Sequence, residues 1–167
     1  KKSVDTISSQ DYIGVLAYTY SPGGVNWEVP LDLNTNRNAV KARIDRIQVG
    51  DMPDFGSTME IAYRELTAGR GKDAAQKHVI IFSDGDPQGP SAKLISDYVQ
   101  AKITVSTIGI GWGAHVMEQT LLSIAQSTGG RYYAARNPSE LPQIFAKESK
   151  VVRRPLIVEE PFQPQIV

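Results

Sequence analysis

The chain has 167 residues, a length that fits one domain with a substantial core. It contains 18 Lys and Arg and 18 Asp and Glu, so its formal net charge is zero. A neutral chain has no overall field that would attract nucleic acid, and no apolar stretch approaches the roughly 20 residues of a membrane span, so we expect neither a nucleic-acid partner nor direct membrane insertion. The absence of cysteine excludes disulfides, thiolate metal sites and a cysteine nucleophile.

Apolar residues recur alternately at strand spacing and at helix spacing along the chain. In chain order, the pattern predicts the end of a helix at 1–10, strands at 13–20 and 25–31 joined as a hairpin, helices at 38–47 and 57–66, a strand at 79–82, a helix at 94–99, a strand at 103–111, a helix at 117–128, a strand at 132–133 and a helix at 141–145. This alternation predicts an α/β fold: a doubly wound, mostly parallel sheet with helices on both faces. Either Asn36 or Asn38 is a suitable cap for the helix at 38–47.

The strand at 79–82 ends on two acidic residues. Its unbroken run of Val, Ile and Phe is typical of a strand covered on both faces, and Ser83–Pro87 is a turn sequence. Ligands of open α/β sheets bind beyond the carboxyl ends of the strands, which is where Asp84 and Asp86 follow in the sequence. The two acids are therefore candidates for a binding or catalytic site, and the alternative is a solvated turn in which they serve as caps.

A hydroxyl just before the helix at 57–66 is a candidate partner for these acids. Carboxylate and hydroxyl oxygens are ligands that Mg²⁺ accepts in proteins, usually with several waters retained. Ser57 or Thr58 could supply the hydroxyl from a separate loop at the same edge of the sheet. The alternative for these two residues is a helix N-cap.

The order of these motifs resembles the von Willebrand factor A domain of bacterial proteins. The matching stretches lie between Ile13 and Phe145 and read IGVLAYTY, FGSTMEIAYREL, VIIFSDGDP, ITVSTIGIG and LLSIAQSTGGRYYAARNPSELPQIF. The resemblance implies a domain at residues 1–148, an extended tail or linker at 149–167, and a non-catalytic role in protein interaction. Such domains hold Mg²⁺ or Mn²⁺ between three loops, and the protein ligand contributes a carboxylate.

The resemblance also assigns metal ligands to this chain. It places the family's third-loop aspartate at Asp84 and the second-loop threonine at Ser57 or Thr58, with Asp86 as a weaker candidate. The apolar pattern of the following helix favours Ser57, whereas residue type favours Thr58. The family's first loop, D-x-S-x-S, occurs nowhere in the sequence.

The start of the chain resembles the end of the helix that follows that first loop. We therefore expect a domain without its first, central strand, an incomplete metal site, and weak or absent Mg²⁺ or Mn²⁺ binding by this chain. The strands at 13–20 and 79–82 would then have unpaired edges. Direct pairing of these strands, insertion of the tail, or self-association would fill the gap.

Two further resemblances concern the parent protein and an alternative function. The stretches GDMPDF, KHVIIFSDGDP, NPSELPQIF and KESKVVRRPLIVEEPF resemble large bacterial membrane proteins that also carry a class I glutamine amidotransferase-like domain, which implies a membrane-associated parent. Asp84-Gly85-Asp86 also resembles the DxD of haloacid-dehalogenase-type phosphatases, which implies a Mg²⁺-dependent phosphotransferase. That family requires Thr or Val where this chain has Gln88, and its motif lies near the domain start.

Overall fold

Strands and helices alternate along the chain in the order that the sequence predicts. The computed structural model describes residues 1–20, 24–48, 50–51, 53–83, 88–111 and 118–152. Their elements are α1 (Lys2–Thr6), β1 (Tyr12–Tyr18), β2 (Val25–Leu33), α2 (Arg37–Ile44), α3 (Phe55–Thr67), β3 (Lys77–Ser83), α4 (Ala92–Gln100), β4 (Ile103–Ile110), α5 (Glu118–Ser127), β5 (Tyr132–Ala135) and α6 (Leu141–Val152). The α/β class is confirmed, and no helix in these ranges has the length and apolarity needed to cross a membrane.

The strands form two separate sheets. β1 and β2 form the predicted hairpin, which is antiparallel, and Tyr12 lies opposite Leu33 in it. β3, β4 and β5 form a parallel sheet in that order, with β4 at its centre. Within the described residues β1 pairs only with β2 and β3 only with β4, so the direct pairing of β1 with β3 considered from the sequence does not occur.

The parallel sheet is covered on both faces. One face packs against α3, α4 and α5 and forms the main apolar core. This core contains Phe55, Met59, Leu94, Tyr98, Ile103, Val105, Leu121 and Ile124. The hydroxyl of buried Tyr98 donates to the carbonyl of Met59 at 2.7 Å, so its polar end is satisfied inside the core. On the other face lies α6, whose Phe145 stacks on Phe82 with ring centroids 4.7 Å apart.

The last helix is longer than predicted. The apolar pattern ends at Phe145, but α6 continues to Val152, past residue 148 where the sequence places the boundary between domain and tail. Ala146, Lys147, Glu148 and Lys150 are good helix formers, and the first helix-breaking residue after Phe145 is Pro155. The residues after Val152 lie outside the described part of the chain.

Side-chain and glycine caps define two of the helix ends. Asn36, rather than Asn38, caps α2, because its side chain accepts from the backbone N–H of Ala39 at 3.0 Å. After α5 the chain reverses at Gly129, whose φ of +76° confirms the left-handed stop that the sequence predicts. The next residue, Gly130, donates its N–H to the carbonyl of Ala125 at 2.9 Å.

Gly130 also passes very close to β4. A Cβ atom at this position would lie 2.0 Å from the carbonyl oxygen of Val105, which is far inside contact distance. Only glycine therefore allows the turn after α5 to deliver the chain to β5.

We predict that Gly130→Ala destabilises the domain by about 1–3 kcal/mol, because the backbone of β4 has to move to accommodate the methyl group. Urea unfolding measures the loss. Gly89→Ala is the matched control, since its Cβ would meet its nearest atom at 3.5 Å and should cost less than about 0.5 kcal/mol. Equal stability of the two variants would contradict the close approach.

Candidate functional site

The loop before α3 and the chain after β3 meet at the carboxyl edge of the parallel sheet. The N–H of Gln88 donates to the carbonyl of Pro53 at 3.0 Å, and the N–H of Phe55 donates to the carbonyl of Gln88 at 2.9 Å. These bonds form a parallel bridge between Asp54 and Gln88. The two segments from which the sequence predicts a site are therefore neighbours.

The predicted acids belong to the segment between these fixed points. Ser83 ends β3 and pairs with Gly109, and Gln88 is held by the bridge. Asp84 and Asp86 themselves lie outside the described residues. The structure thus fixes where the chain leaves the sheet and where it returns to α3, on either side of the two acids.

Asp54 organises the start of α3. Its carboxylate accepts from the backbone N–H of Ser57 at 2.7 Å and from the Ser57 hydroxyl at 2.7 and 2.8 Å. Asp54 is therefore the N-cap of α3, and the alternative role of Ser57 as the cap is wrong. Ser57 is exposed, whereas Thr58 is partly buried and donates its hydroxyl to the carbonyl of Phe55 at 3.0 Å.

The Ser57 hydroxyl is compatible with a cation. It donates its proton to Asp54, so the oxygen keeps lone pairs that can face a metal ion. The N-terminus of a helix carries partial positive charge, which disfavours a cation, and the carboxylate of Asp54 offsets that charge. Sequence reasoning missed Asp54, although an aspartate three residues before a helical Ser is a common capping pattern.

A second carboxylate, that of Glu118 at the start of α5, lies beside Tyr132 of β5. Burial raises the pKa of Tyr132, and the Glu118 carboxylate raises it further. Yet no group of three or more His, Asp or Glu side chains in the described ranges could hold a metal ion. A site built on three such side chains at this edge would therefore need ligands beyond the described residues.

We predict that Asp54→Ala lowers the free energy of unfolding by about 1 kcal/mol, because α3 loses its cap. Asp54→Asn keeps a side-chain oxygen that can accept from Ser57 and should lose less than half as much. Chemical denaturation of both variants measures the difference. Equal losses in the two variants would show that capping by Asp54 does not stabilise α3.

The chain is similar to proteins of a known family. Residues 2–147 match the model of the von Willebrand factor type A domain. A UPF0353 protein of Mycobacterium marinum is 25% identical over 175 residues, which cover 87% of this chain and 50% of that protein. The chain spans about half the length of the mycobacterial relatives that it matches.

Solved structures share the fold. A von Willebrand factor type A protein from Catenulispora acidiphila superposes with a TM-score of 0.70 at 23% identity, over 89% of this chain and 35% of that one. Proximal thread matrix protein 1 from the mussel byssus, with a zinc-occupied MIDAS motif, gives a TM-score of 0.63 at 21% identity, over 89% of this chain and 39% of that one. Because the family match extends over most of the chain, this chain belongs to the von Willebrand factor type A domain family.

Proposed function

We propose that this domain binds a protein ligand at the carboxyl edge of its parallel sheet, through an incomplete metal-ion-dependent adhesion site. The observation that carries the proposal is the bridge between Asp54 and Gln88. It holds the hydroxyl-bearing start of α3 against the chain that follows the acidic turn. The domain family, whose members are typically involved in protein interaction, supports the same conclusion.

The proposed ligands are oxygen atoms from two loops. Asp84 supplies a carboxylate, Ser57 or Thr58 supplies a hydroxyl, and Asp86 is a weaker candidate. Such hard oxygen donors suit Mg²⁺ or Mn²⁺, and the bound ion would supply an attachment point for a carboxylate of the protein ligand. Asp54 orients the Ser57 hydroxyl through hydrogen bonds of 2.7 and 2.8 Å. We propose no catalytic role for any of these residues.

The site is proposed to be incomplete in this chain. The sequence contains no D-x-S-x-S motif, so the charge of the first loop is missing. Fewer carboxylates leave the cation largely hydrated and weaken its binding.

We also propose that the parent protein is a membrane-associated bacterial protein with a glutamine amidotransferase-like domain. The support is the resemblance of the stretches around Asp54, Asp84 and the end of α6 to such proteins.

We predict weak and local Mn²⁺ binding. Because Mn²⁺ is paramagnetic, it should broaden the amide NMR signals of Ser57, Thr58 and Gln88 before others, and Asp84→Ala should abolish this effect. Asp73→Ala is the matched control, since Asp73 is an exposed acid just before β3, at the opposite end of the strand. Calorimetry should detect no micromolar Mg²⁺ binding. Broadening that survives Asp84→Ala, or tight Mg²⁺ binding that this variant abolishes, would contradict the proposal.

The same measurement separates the two hydroxyls. Ser57→Ala and Thr58→Val each remove one hydroxyl at nearly constant shape, and the variant that loses the Mn²⁺ effect identifies the ligand.

The phosphotransferase alternative predicts a different outcome: turnover of an aryl phosphate in the presence of Mg²⁺, lost in Asp84→Asn. Such turnover would support an enzyme and contradict the binding function.

We further propose that the domain self-associates through the edges of β1 and β3. The support is that, among the described strands, each of these two pairs on one side only. Partly exposed aromatic side chains on the same strands, Tyr12 at 43% and Phe82 at 38%, add apolar surface. Paired edges would satisfy backbone groups that otherwise face solvent.

We predict that sedimentation velocity shows a sedimentation coefficient that rises with protein concentration, because edge pairing between two copies is a mass-action equilibrium. A mixture with a large excess of an unrelated neutral protein controls for crowding. A single monomeric species at every concentration would contradict self-association.

A further inference from the structure

The outer edge of β3 has the composition of a central strand and the surroundings of an edge strand. Within the described residues β3 pairs with β4 only. The apolar side chains at 79–81 of β3 are half-buried. In β4, by contrast, Val105 and Ile108 have no exposed surface. An unbroken apolar run is typical of a strand with neighbours on both sides, so this edge suits a further strand.

Helices cover the space beside this edge on both faces. On the face of the main core, α5 contacts α4 and α4 contacts α3, so α3 lies at the β3 side of the helical layer. α3 also contacts β1 and β2, and thus extends from the parallel sheet to the hairpin. On the other face α6 contacts α1, where Thr6 and Ser149 share a hydrogen bond of 3.2 Å. A strand added beside β3 would therefore lie between two helical layers.

A cluster around the buried carboxylate of Glu148 fixes α6 on the parallel sheet. Oε1 accepts from Nε of Arg131 at 2.9 Å and from the hydroxyl of Tyr133, and Oε2 accepts from the hydroxyl of Ser106 at 2.8 Å. Oε2 also lies 3.1 Å from Nε2 of His78. Hydrogen bonds of this kind allow a charge to be buried. This Glu148 cluster joins α6 to all three strands, through His78 in β3, Ser106 in β4 and Tyr133 in β5.

The contacts of α6 show that it runs antiparallel to β3. Near the carboxyl end of β3, Phe82 stacks on Phe145 with ring centroids 4.7 Å apart. Further along α6, Glu148 faces His78, which lies nearer the amino end of β3. The helix ends at Val152, about one turn further in the same direction. The chain therefore leaves α6 near the amino end of β3, where a strand parallel to β3 would begin.

The handedness of the strand crossovers selects the same position. The connections through α4 and α5 both step from β3 toward β5, and their helices lie on the face of the main core. Connections between parallel strands of one sheet are almost always right-handed, so a connection that steps back needs its helix on the opposite face. α6 follows β5 and lies on that opposite face. A parallel strand after α6 therefore belongs beside β3.

The sequence after α6 suits a short strand that is covered on both faces. Residues 156–158 read Leu-Ile-Val, and residues 156–160 form a proline-free stretch between Pro155 and Pro161. An apolar run with β-branched residues is typical of such a strand, and five residues are a usual strand length. Residues 153–155 leave three residues for the loop, which is a usual length between a helix and a strand.

We propose that residues 156–160 add to the parallel sheet as a fourth strand, parallel to β3 and paired with its outer edge. The backbone of this segment would satisfy N–H and C=O groups on that edge. Its apolar side chains would cover the half-buried side chains at 79–81. Because the segment belongs to the same chain, its insertion does not depend on protein concentration.

The insertion competes with the self-association proposed above, because both use the outer edge of β3. A second copy can pair with this edge only when residues 156–160 have left it. The segment is tethered to its own domain through α6, so its effective concentration at the edge is high. The inserted strand therefore limits pairing between copies, and its loss should strengthen self-association.

Amide hydrogen exchange measured by NMR tests the insertion. Ile157→Lys places a charge in the middle of the covered strand, so the β3 amides that point away from β4 should exchange about tenfold faster than in the original chain. Ile166→Lys is the matched control, since it makes the same change outside the proposed strand and should leave exchange unchanged. Amides of Val105 and Ile108 in β4 should stay equally protected in all three chains, which shows that the domain remains folded.

Protein concentration separates the insertion from self-association. Protection that is equal at low and high concentration and is lost in Ile157→Lys supports the insertion. Equal exchange of these β3 amides in the original chain and in Ile157→Lys overturns it. Protection that appears only at high concentration also overturns it and assigns the edge to a second copy. Sedimentation velocity of Ile157→Lys tests self-association by itself: if the exchange results support the insertion and this variant stays monomeric, the insertion stands and self-association is wrong.

Discussion

One buried carboxylate, that of Glu148, joins α6 to all three strands of the parallel sheet. Removal of one partner from a buried ion pair typically costs about 3–5 kcal/mol, so the partners of Glu148 have to be in place together. Ser106 lies two residues before Ile108, which is opposite Tyr133 in the β4–β5 ladder. A one-residue shift of β4 would turn the Ser106 side chain to the other face. Strand register and the rotation of α6 therefore constrain each other.

The Glu148 cluster lies on one face of the parallel sheet, whereas the proposed binding site lies at its carboxyl edge. His78 lies near the start of β3, and the acidic turn follows Ser83 at its end, about 16 Å further along an extended strand. The two faces of the sheet also differ in what covers them. One carries an apolar core under three helices, and the other carries a hydrogen-bonded polar cluster under α6.

Local sequence signals predicted the order of elements well. The hairpin of β1 and β2, the parallel strands β3 and β4, and the glycine stop at Gly129 all follow from side-chain periodicity and turn residues. These features depend on contacts within a few residues. The family resemblance, now confirmed, rests on the order of the same motifs.

Features that depend on distant residues were missed. The burial of Glu148 arises from partners between 15 and 70 residues away in sequence, and its position near the end of an apolar pattern looks like that of a surface residue. Asp54 was missed because its importance comes from the bridge to Gln88, which brings two separate loops together. The separation of the strands into two sheets is likewise a property of long-range pairing.

The bridge between Asp54 and Gln88 has a consequence for sequence variation at the acidic turn. Ser83 and Gln88, which flank residues 84–87, are held by backbone hydrogen bonds that involve none of the four side chains between them. Substitution of those four side chains leaves the groups that form these flanking backbone bonds in place, in the manner of antigen-binding loops on a rigid framework. A change of ligand preference at this turn therefore does not require a change in the two backbone anchors that flank it.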